Sequence, residues 1–318
     1  MLFQIIAILC LVLVAMSTTE NCFRLFDTDL SYRARTGRIN TVEGTMRWYS
    51  KRKLHQHLPI KVHNSTFSYV YIPKAGSTIV RSFLGGRFKL TCDLRPPVFS
   101  IVRHPLSRVV SAYGTINARA IAQILLNNHL TTLSSFKRFV ESVPTIPRGE
   151  VVHESHVWRL PFFRVWTAHG RFRQFIVDIA SYGFFDMHLV SQAFRLFSAC
   201  PLGHALPVVL RVESIADDLA NSAAIPDFGP WTAFRRAILK AFGCTQRRNV
   251  LWKVSKGVGN VDELRFTLSK SEVGKELLKL VFNSSALSLL DTVREEDTVA
   301  RIQTLYAQDF VCFGYLMD

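Results

Sequence analysis

The residues best suited to chemistry stand in one short loop, Pro73-Lys74-Ala75-Gly76-Ser77-Thr78. The loop brings a cation, a glycine and adjacent hydroxyls to a point where a helix should begin. A helix N-terminus offers backbone N–H groups and the positive end of the macrodipole, so an anion is favoured there, and a lysine adds a mobile charge. The loop is not a Walker cradle, because G-x-x-x-x-G-K-[ST] is absent and the lysine precedes the glycine. Taken alone, it reads either as an anion cradle or as a surface turn that carries Lys and Ser. A second set follows in Arg103-His104-Pro105-Leu106-Ser107-Arg108-Val109-Val110-Ser111-Ala112-Tyr113. Arginine's planar fork suits phosphate oxygens. Pro105 fits the first position of a helix, where a missing N–H costs nothing. Arg103 then lies at the C-terminal end of a strand and Ser111 about two turns into the next helix. Both can meet one phosphate if that helix packs back across the site. The same stretch also reads as an arginine capping a strand ahead of an ordinary amphipathic helix.

Positioning these groups requires a particular set of elements. Phe67 to Ile72 is β-branched and aromatic, so it reads as a strand leading into the loop, and the chain then enters a helix that Gly85-Gly86 stops. Val98 to Val102 is a second strand, introduced by Arg95-Pro96-Pro97. Strands separated by a helix predict a βαβ unit, a parallel sheet and an α/β fold. Ligands of open α/β sheets bind beyond the carboxyl ends of the strands, where both sets of residues fall. Downstream, Ile116 to Val143 reads as mostly helical, Leu206 to Val212 as a strand and Ile215 to Ala220 as a helix. Trp231 to Phe242 has an amphipathic pattern, and Glu272 to Tyr306 reads as helical with a break near Asn283.

Composition bounds the partners. With 48% hydrophobic and 20% charged residues, the chain of 318 residues is globular and can bury a sizeable core. A net charge of +15 calls for polyanionic company. Neither a helix-long basic stripe nor zinc-finger spacing nor an RNA-recognition signature is present, which counts against nucleic acid. Leu2 to Met16 is apolar apart from Gln4. This run falls short of the about 20 residues that span a bilayer, and it reads as a signal-peptide core or a short uncleaved anchor. Sequons at Asn64 and Asn283 agree with a secretory route. The cysteines, Cys10, Cys22, Cys92, Cys200, Cys244 and Cys312, form no CxxC pair, so zinc is disfavoured and disulfides in an oxidising lumen are expected.

Together, a strand ending in Pro-Lys-x-Gly-Ser-Thr and a second ending in Arg-x-Pro-x-x-Arg-x-x-Ser-x-Tyr resemble the sulfotransferases. The resemblance is closest to the membrane-bound carbohydrate sulfotransferases of the Golgi, the chondroitin 4-O and HNK-1 type group. His156-Val157-Trp158 with Pro161 is similar to that group's His-Trp-x-Pro region, with one residue inserted. Arg211-Val212-Glu213 followed by Asp217 or Asp218 looks like its strand-then-Glu element. Leu305-Tyr306-Ala307-Gln308-Asp309-Phe310 with Phe313-Gly314-Tyr315 looks like its C-terminal signature.

The resemblance implies a P-loop NTPase-like three-layer sandwich with a central parallel sheet over residues 61–318. A signal peptide or signal anchor at 1–19 and a stem at 20–60 would precede it. It implies transfer of a sulfuryl group from 3′-phosphoadenosine 5′-phosphosulfate to a hydroxyl of a carbohydrate, anionic glycans included. The setting would be the Golgi lumen, with membrane contact through the N-terminal segment, or secretion if that segment is cleaved. Pro73, Lys74, Ala75, Gly76, Ser77 and Thr78 would bind the 5′-phosphosulfate, and Arg103 and Ser111 the 3′-phosphate. Lys74 would neutralise the departing bridging oxygen, and His156 is the expected general base, with His153 and Glu154 behind it. A histidine beside Trp and Pro reads equally well as a packed structural residue. No metal is required, and His153-Glu154-Ser155-His156 is not the H-E-x-x-H pattern. Arg164, Arg171 and Arg173 among aromatic residues could line a glycan cleft or form a solvated helix face. The alternatives are a catalytically inactive glycan-binding protein that keeps the fold, and a P-loop nucleotide kinase-like enzyme. The missing Walker spacing and the secretory N-terminus argue against the kinase.

Overall fold

The computed structural model describes residues 56–62, 65–77, 79–80, 89–90, 98–150, 152–197, 208–221, 230–246, 268–282 and 296–316. The leader, the lead-in up to residue 55, Thr78, Gly85-Gly86, both sequon asparagines and the basic loop 247–259 lie outside the described residues. The strands are β1 Gln56–Val62, β2 Ser65–Val70, β3 Lys89–Leu90, β4 Val98–Val102 and β5 Val208–Arg211. They form one sheet in the order β3-β1-β2-β4-β5. β2 and β4 are parallel neighbours, Ser68 opposite Val98 and Val70 opposite Ser100, as a strand–helix–strand unit requires. β5 adds in parallel on the far side of β4. The architecture is mixed α/β, with one small mixed sheet, parallel across β2, β4 and β5 and antiparallel at β1 and β3, and otherwise mostly helices.

β1 begins inside the stretch read as lead-in. Leu58, Ile60 and Val62 alternate as strand residues should, but Pro59 interrupts the pattern. β1 pairs antiparallel with β2 along its length, whereas β3 reaches only Gln56 and His57. Among the described residues Pro59 lies outside the β1–β3 pairing, so its missing N–H costs no ladder bond there.

The helices are α1 Pro105–Asn128, α2 Leu133–Ser142, α3 Ala168–Tyr182, α4 Gln192–Phe197, α5 Ile215–Asn221, α6 Pro230–Gln246, α7 Glu272–Phe282, α8 Glu296–Leu305 and α9 Ala307–Phe313. A further helix opens at Ser77. Strand alternation sends Phe67, Tyr69, Phe99, Ile101 and Leu210 to one face of the sheet, where Leu219 of α5 and Phe234, Ile238 and Phe242 of α6 cover them. Phe234 stacks on Phe67 and meets Phe99 edge-on, each at 4.7 Å between ring centroids. Val70, Ile72, Val98 and Val102 point the other way, against Ala193 and Leu196 of α4 and Phe313 of α9. Burying each such side chain stabilises the fold by roughly 1.5–3 kcal/mol.

The largest core gathers α1, α3, α7 and α8 around Tyr113, Ile116, Phe162, Phe163, Phe172 and Phe175. α1 is long and apolar enough to cross a membrane by length and composition, yet 67% of its most apolar window is buried inside this core. Arg171, one of the arginines considered for a glycan cleft, is fully buried here. Its Nε donates to Asn117 Oδ1 at 2.9 Å and its Nη1 to Phe163 O at 3.0 Å, and its guanidinium lies 4.1 Å from the centroid of the Phe163 ring. Burial lowers its pKa to about 10, with nearby Tyr113 opposing the shift. Arg164 donates to the carbonyl of Val143 and Arg173 is exposed. Arg171 is thus a core cation that ties the aromatic turns to α1.

Candidate active site

β2 runs through Tyr71-Ile72 into the turn Pro73–Gly76. Lys74 has φ 67 and Gly76 φ 74, so both are left-handed, and for the lysine this costs roughly 1–2 kcal/mol. Such strain persists only where the surroundings over-determine it, and it clusters at functional sites. Ile79 and Val80 donate their N–H groups to Gly76 O at 2.9 and 3.1 Å, so the helix starts at the glycine. The first-turn amides of a helix have no partner within it, which makes this loop the place for an acceptor. A Cβ on Gly76 would lie 2.9 Å from Cζ of Phe242. The glycine is thus required by its φ and by the ring packed against it, a contact within the protein in addition to any ligand approach.

Arg108 fixes the loop from behind. Its side chain is 1% exposed; Nε donates to Pro73 O at 3.1 Å and Nη2 to Val190 O at 2.7 Å. One guanidinium therefore joins the Lys74 loop to the segment ahead of α4. The same segment is held at Leu189 O by Tyr306 Oη, 2.8 Å, and at Met187 O by Arg195 Nη2, 3.0 Å. Asp309, fully buried, accepts from Ser191 Oγ at 2.6 Å and from the backbone N–H of Gln192 at 3.0 Å and of Ala193 at 2.8 Å. It thereby caps α4. Gln192 in turn grips Arg103, accepting from its N–H at 2.9 Å and donating to its carbonyl at 2.7 Å. The C-terminal Leu-Tyr-x-x-Asp-Phe stretch is in this way a brace for the end of β4.

Arg103 leaves β4 next to Glu213, which follows β5. Burial lowers the pKa of its guanidinium, with Glu213 and Tyr315 opposing. Glu213 accepts from His104 N at 2.9 Å and from Tyr315 Oη at 3.2 Å, joining the two strand ends. His104 packs edge-on between Phe310 and Tyr315 at 5.5 and 5.0 Å. Asp218 pairs with Arg211 at 2.7 Å and is structural. Ser111 is half-buried on α1, and its carbonyl accepts from Thr115 Oγ1 at 3.0 Å.

Comparison with family models, with curated proteins and with solved structures gives no match.

Lys74 and His156, the residues expected to act together, stand on different elements, the loop after β2 and a 3-10 turn. His156 is exposed on a 3-10 turn, Glu154–Arg159, with its ring 6.0 Å from that of His153. Arg159, in the same turn, bonds through Nε to Pro144 O at 3.1 Å. The histidine that feels the charge of Lys74 is His188. Its Nδ1 lies 2.7 Å from Asp186 Oδ1, and its backbone N–H donates to the same oxygen at 2.8 Å. Asp186 also binds Arg119 of α1. Burial works to raise the Asp186 carboxyl, but His188 and Arg119 outweigh it and hold the pKa down to about 2. Burial lowers His188, Asp186 raises it, and Arg119 and Lys74 lower it further; the net direction is down, toward the neutral ring. The legible signal for this pair is a carboxylate two residues before a histidine, Asp186-Met187-His188, just ahead of Gln192. Among the described residues, no group of His, Cys, Asp and Glu is arranged to hold a metal ion. Cys312, on α9, is disulfide-bonded.

Proposed function

We propose that the chain is a carbohydrate O-sulfotransferase of P-loop NTPase-like, three-layer architecture, using 3′-phosphoadenosine 5′-phosphosulfate as donor. The observation that carries this reading is the seating of Lys74 and Arg103 beyond the carboxyl ends of adjacent parallel strands, β2 and β4, with the carbonyl of Pro73 just before Lys74 and the backbone of Arg103 held by buried side chains. Neighbouring strands lie about 4.8 Å apart, so an anion carrying phosphates at separated positions can reach both. The helix opening at Ser77 and the cation of Lys74 suit a 5′-phosphosulfate, and Arg103 with Ser111 suits a 3′-phosphate. The donor supplies the sulfuryl group. Lys74 steadies the charge that grows on the bridging oxygen, and the Gly76 and Ser77 backbone orients the phosphate. A sheet covered on both faces supports the layered architecture. The disulfide at Cys312 supports an oxidising lumen, with the N-terminal apolar run acting as signal peptide or anchor.

The test measures thermal stability with 3′-phosphoadenosine 5′-phosphate, ATP and AMP, followed by transfer of labelled sulfate to a panel of glycans. The bisphosphate should raise Tm well above the other nucleotides, and Lys74→Ala should abolish transfer while the fold is kept. Equal shifts for all three nucleotides overturn the donor, and a bisphosphate shift without transfer to any glycan turns the reading to a binding protein.

A further inference from the structure

We infer that His188, held by Asp186, is the base that takes the proton from the acceptor hydroxyl, a role that rests on the sulfuryl-transfer reading above. The geometry has three parts. First, Asp186 fixes the ring: with Nδ1–H donating to its carboxylate at 2.7 Å, Nε2 is left with the lone pair as an acceptor. Asp186 is 1% exposed and 14% of the His188 side chain reaches the surface, so the dyad is buried at its anchor and not wholly closed at the ring. Second, the turn that carries His188 is clamped at carbonyls on both sides of it, Met187 by Arg195, Leu189 by Tyr306 and Val190 by Arg108. Third, Arg108 bonds Val190 and Pro73 at once, so the His188 turn and the Lys74 loop are stapled to one guanidinium. The base and the lysine are thus carried by segments that share one staple, and the charge of Lys74 acts on the His188 ring.

The step balances. The acceptor O–H bond breaks and its proton goes to Nε2 of His188; the acceptor oxygen forms a bond to sulfur; the bond from sulfur to the bridging oxygen breaks, and its electron pair stays on the phosphate beside Lys74. The charges that act on His188 are Asp186 from its own turn, Arg119 from α1 and Lys74 from the β2 loop. Arg108 and Arg195 lie near the turn, bonded to its carbonyls, and Asp309 caps the helix that follows. The ring is therefore neutral and able to accept a proton near pH 7, and its loss of function at low pH should answer to its neighbours in opposite senses. Removing the Asp186 charge lowers the pKa of the ring; removing Arg119 raises it.

The experiment uses the full chain with labelled donor and unsulfated chondroitin, heparosan and N-acetyllactosamine chains. His188→Gln should lower kcat by about 10²- to 10⁴-fold. It should leave the thermal shift with 3′-phosphoadenosine 5′-phosphate unchanged, while His156→Ala keeps full transfer. Asp186→Asn should move the acid limb of kcat/KM to lower pH and Arg119→Gln should move it to higher pH; the second variant keeps the test alive if the first fails to fold. Added imidazole should restore part of the rate to His188→Gly. If the bisphosphate protects wild type and His188→Gln alike and transfer persists in the variant, the base assignment alone falls. Limbs that stay in place in both neighbour variants overturn it as well. No bisphosphate shift in wild type, or no transfer by wild type to any glycan, overturns the underlying reading and this inference with it.

Discussion

Asp309→Asn isolates the brace behind Arg103. The carboxylate accepts on both oxygens, Oδ1 from Ser191 Oγ and Ala193 N, Oδ2 from Gln192 N and, at 3.5 Å, from Gln192 Nε2. An asparagine offers one acceptor oxygen, so its amide group must confront a donor, whichever way it is turned. Bonds to a charged acceptor contribute about 1.5–3 kcal/mol, and a buried donor left unmet costs about 1–3 kcal/mol. The variant should therefore lose roughly 3–5 kcal/mol, or on the order of 10 °C in Tm for a domain of this size. The loss should not be uniform. α4 begins at Gln192, and Gln192 holds both backbone groups of Arg103, so the end of β4 should loosen before the α1 core does. Amide exchange at Arg103 and His104 should speed up by more than at Ile116 or Phe175, and the bisphosphate's affinity should fall further than ATP's, because the 3′-phosphate contact is the one disturbed. A variant that melts within a degree or two of wild type, with exchange at Arg103 unchanged, would refute the brace.

Gly76→Ala should destabilise by about 1–3 kcal/mol, since it places a Cβ 2.9 Å from the Phe242 ring at a φ of +74; Phe242→Leu in the same background should recover part of the loss in a melting experiment, and no recovery removes the packing cause. Asp178 supplies a pH test. Burial raises its carboxyl to about 6, although Gln174, the Phe162 N–H and Arg148 pull it down. A carboxyl whose folded pKa exceeds its unfolded value of 3.8 binds its proton more tightly when folded, so its contribution to stability declines as pH rises from about 4 to about 6 and is flat above. Asp178→Asn should thus gain roughly 3 kcal/mol relative to wild type between pH 4 and pH 7 in urea unfolding, and parallel profiles would exclude the shift.

The fold was legible wherever the determinant is local. Phe67 to Ile72 and Val98 to Val102 are strands because β-branched and aromatic residues fit a half-buried pleat, and Pro105 opens α1 because its fixed φ suits the first helical position. α7 ends at Phe282, just ahead of the Asn-Ser-Ser stretch at which the sequence pattern breaks, and the short β5 follows Pro207 in the same way. β1 was masked by Pro59, whose tolerance depends on how far β3 extends. α4 was not legible because only six residues form it and its cap arrives from the far end of the chain.

What the sequence by itself determined is the Lys74 loop and the position of Arg103, because a glycine, a proline and a run of strand formers act within a few residues of themselves. The tertiary structure alone decided the company those groups keep. Asp309 reaches Gln192 across 117 positions, Gln192 reaches Arg103 across 89, and Arg108 reaches Val190 across 82. Such pairings carry no periodicity, since they depend on which carbonyls and carboxylates are left without water when the helices close over the sheet. That is also why His156, beside a suggestive Trp and Pro, stands exposed, while His188, marked in sequence only by a carboxylate two residues before it, is held against that buried carboxylate and feels the charge of Lys74.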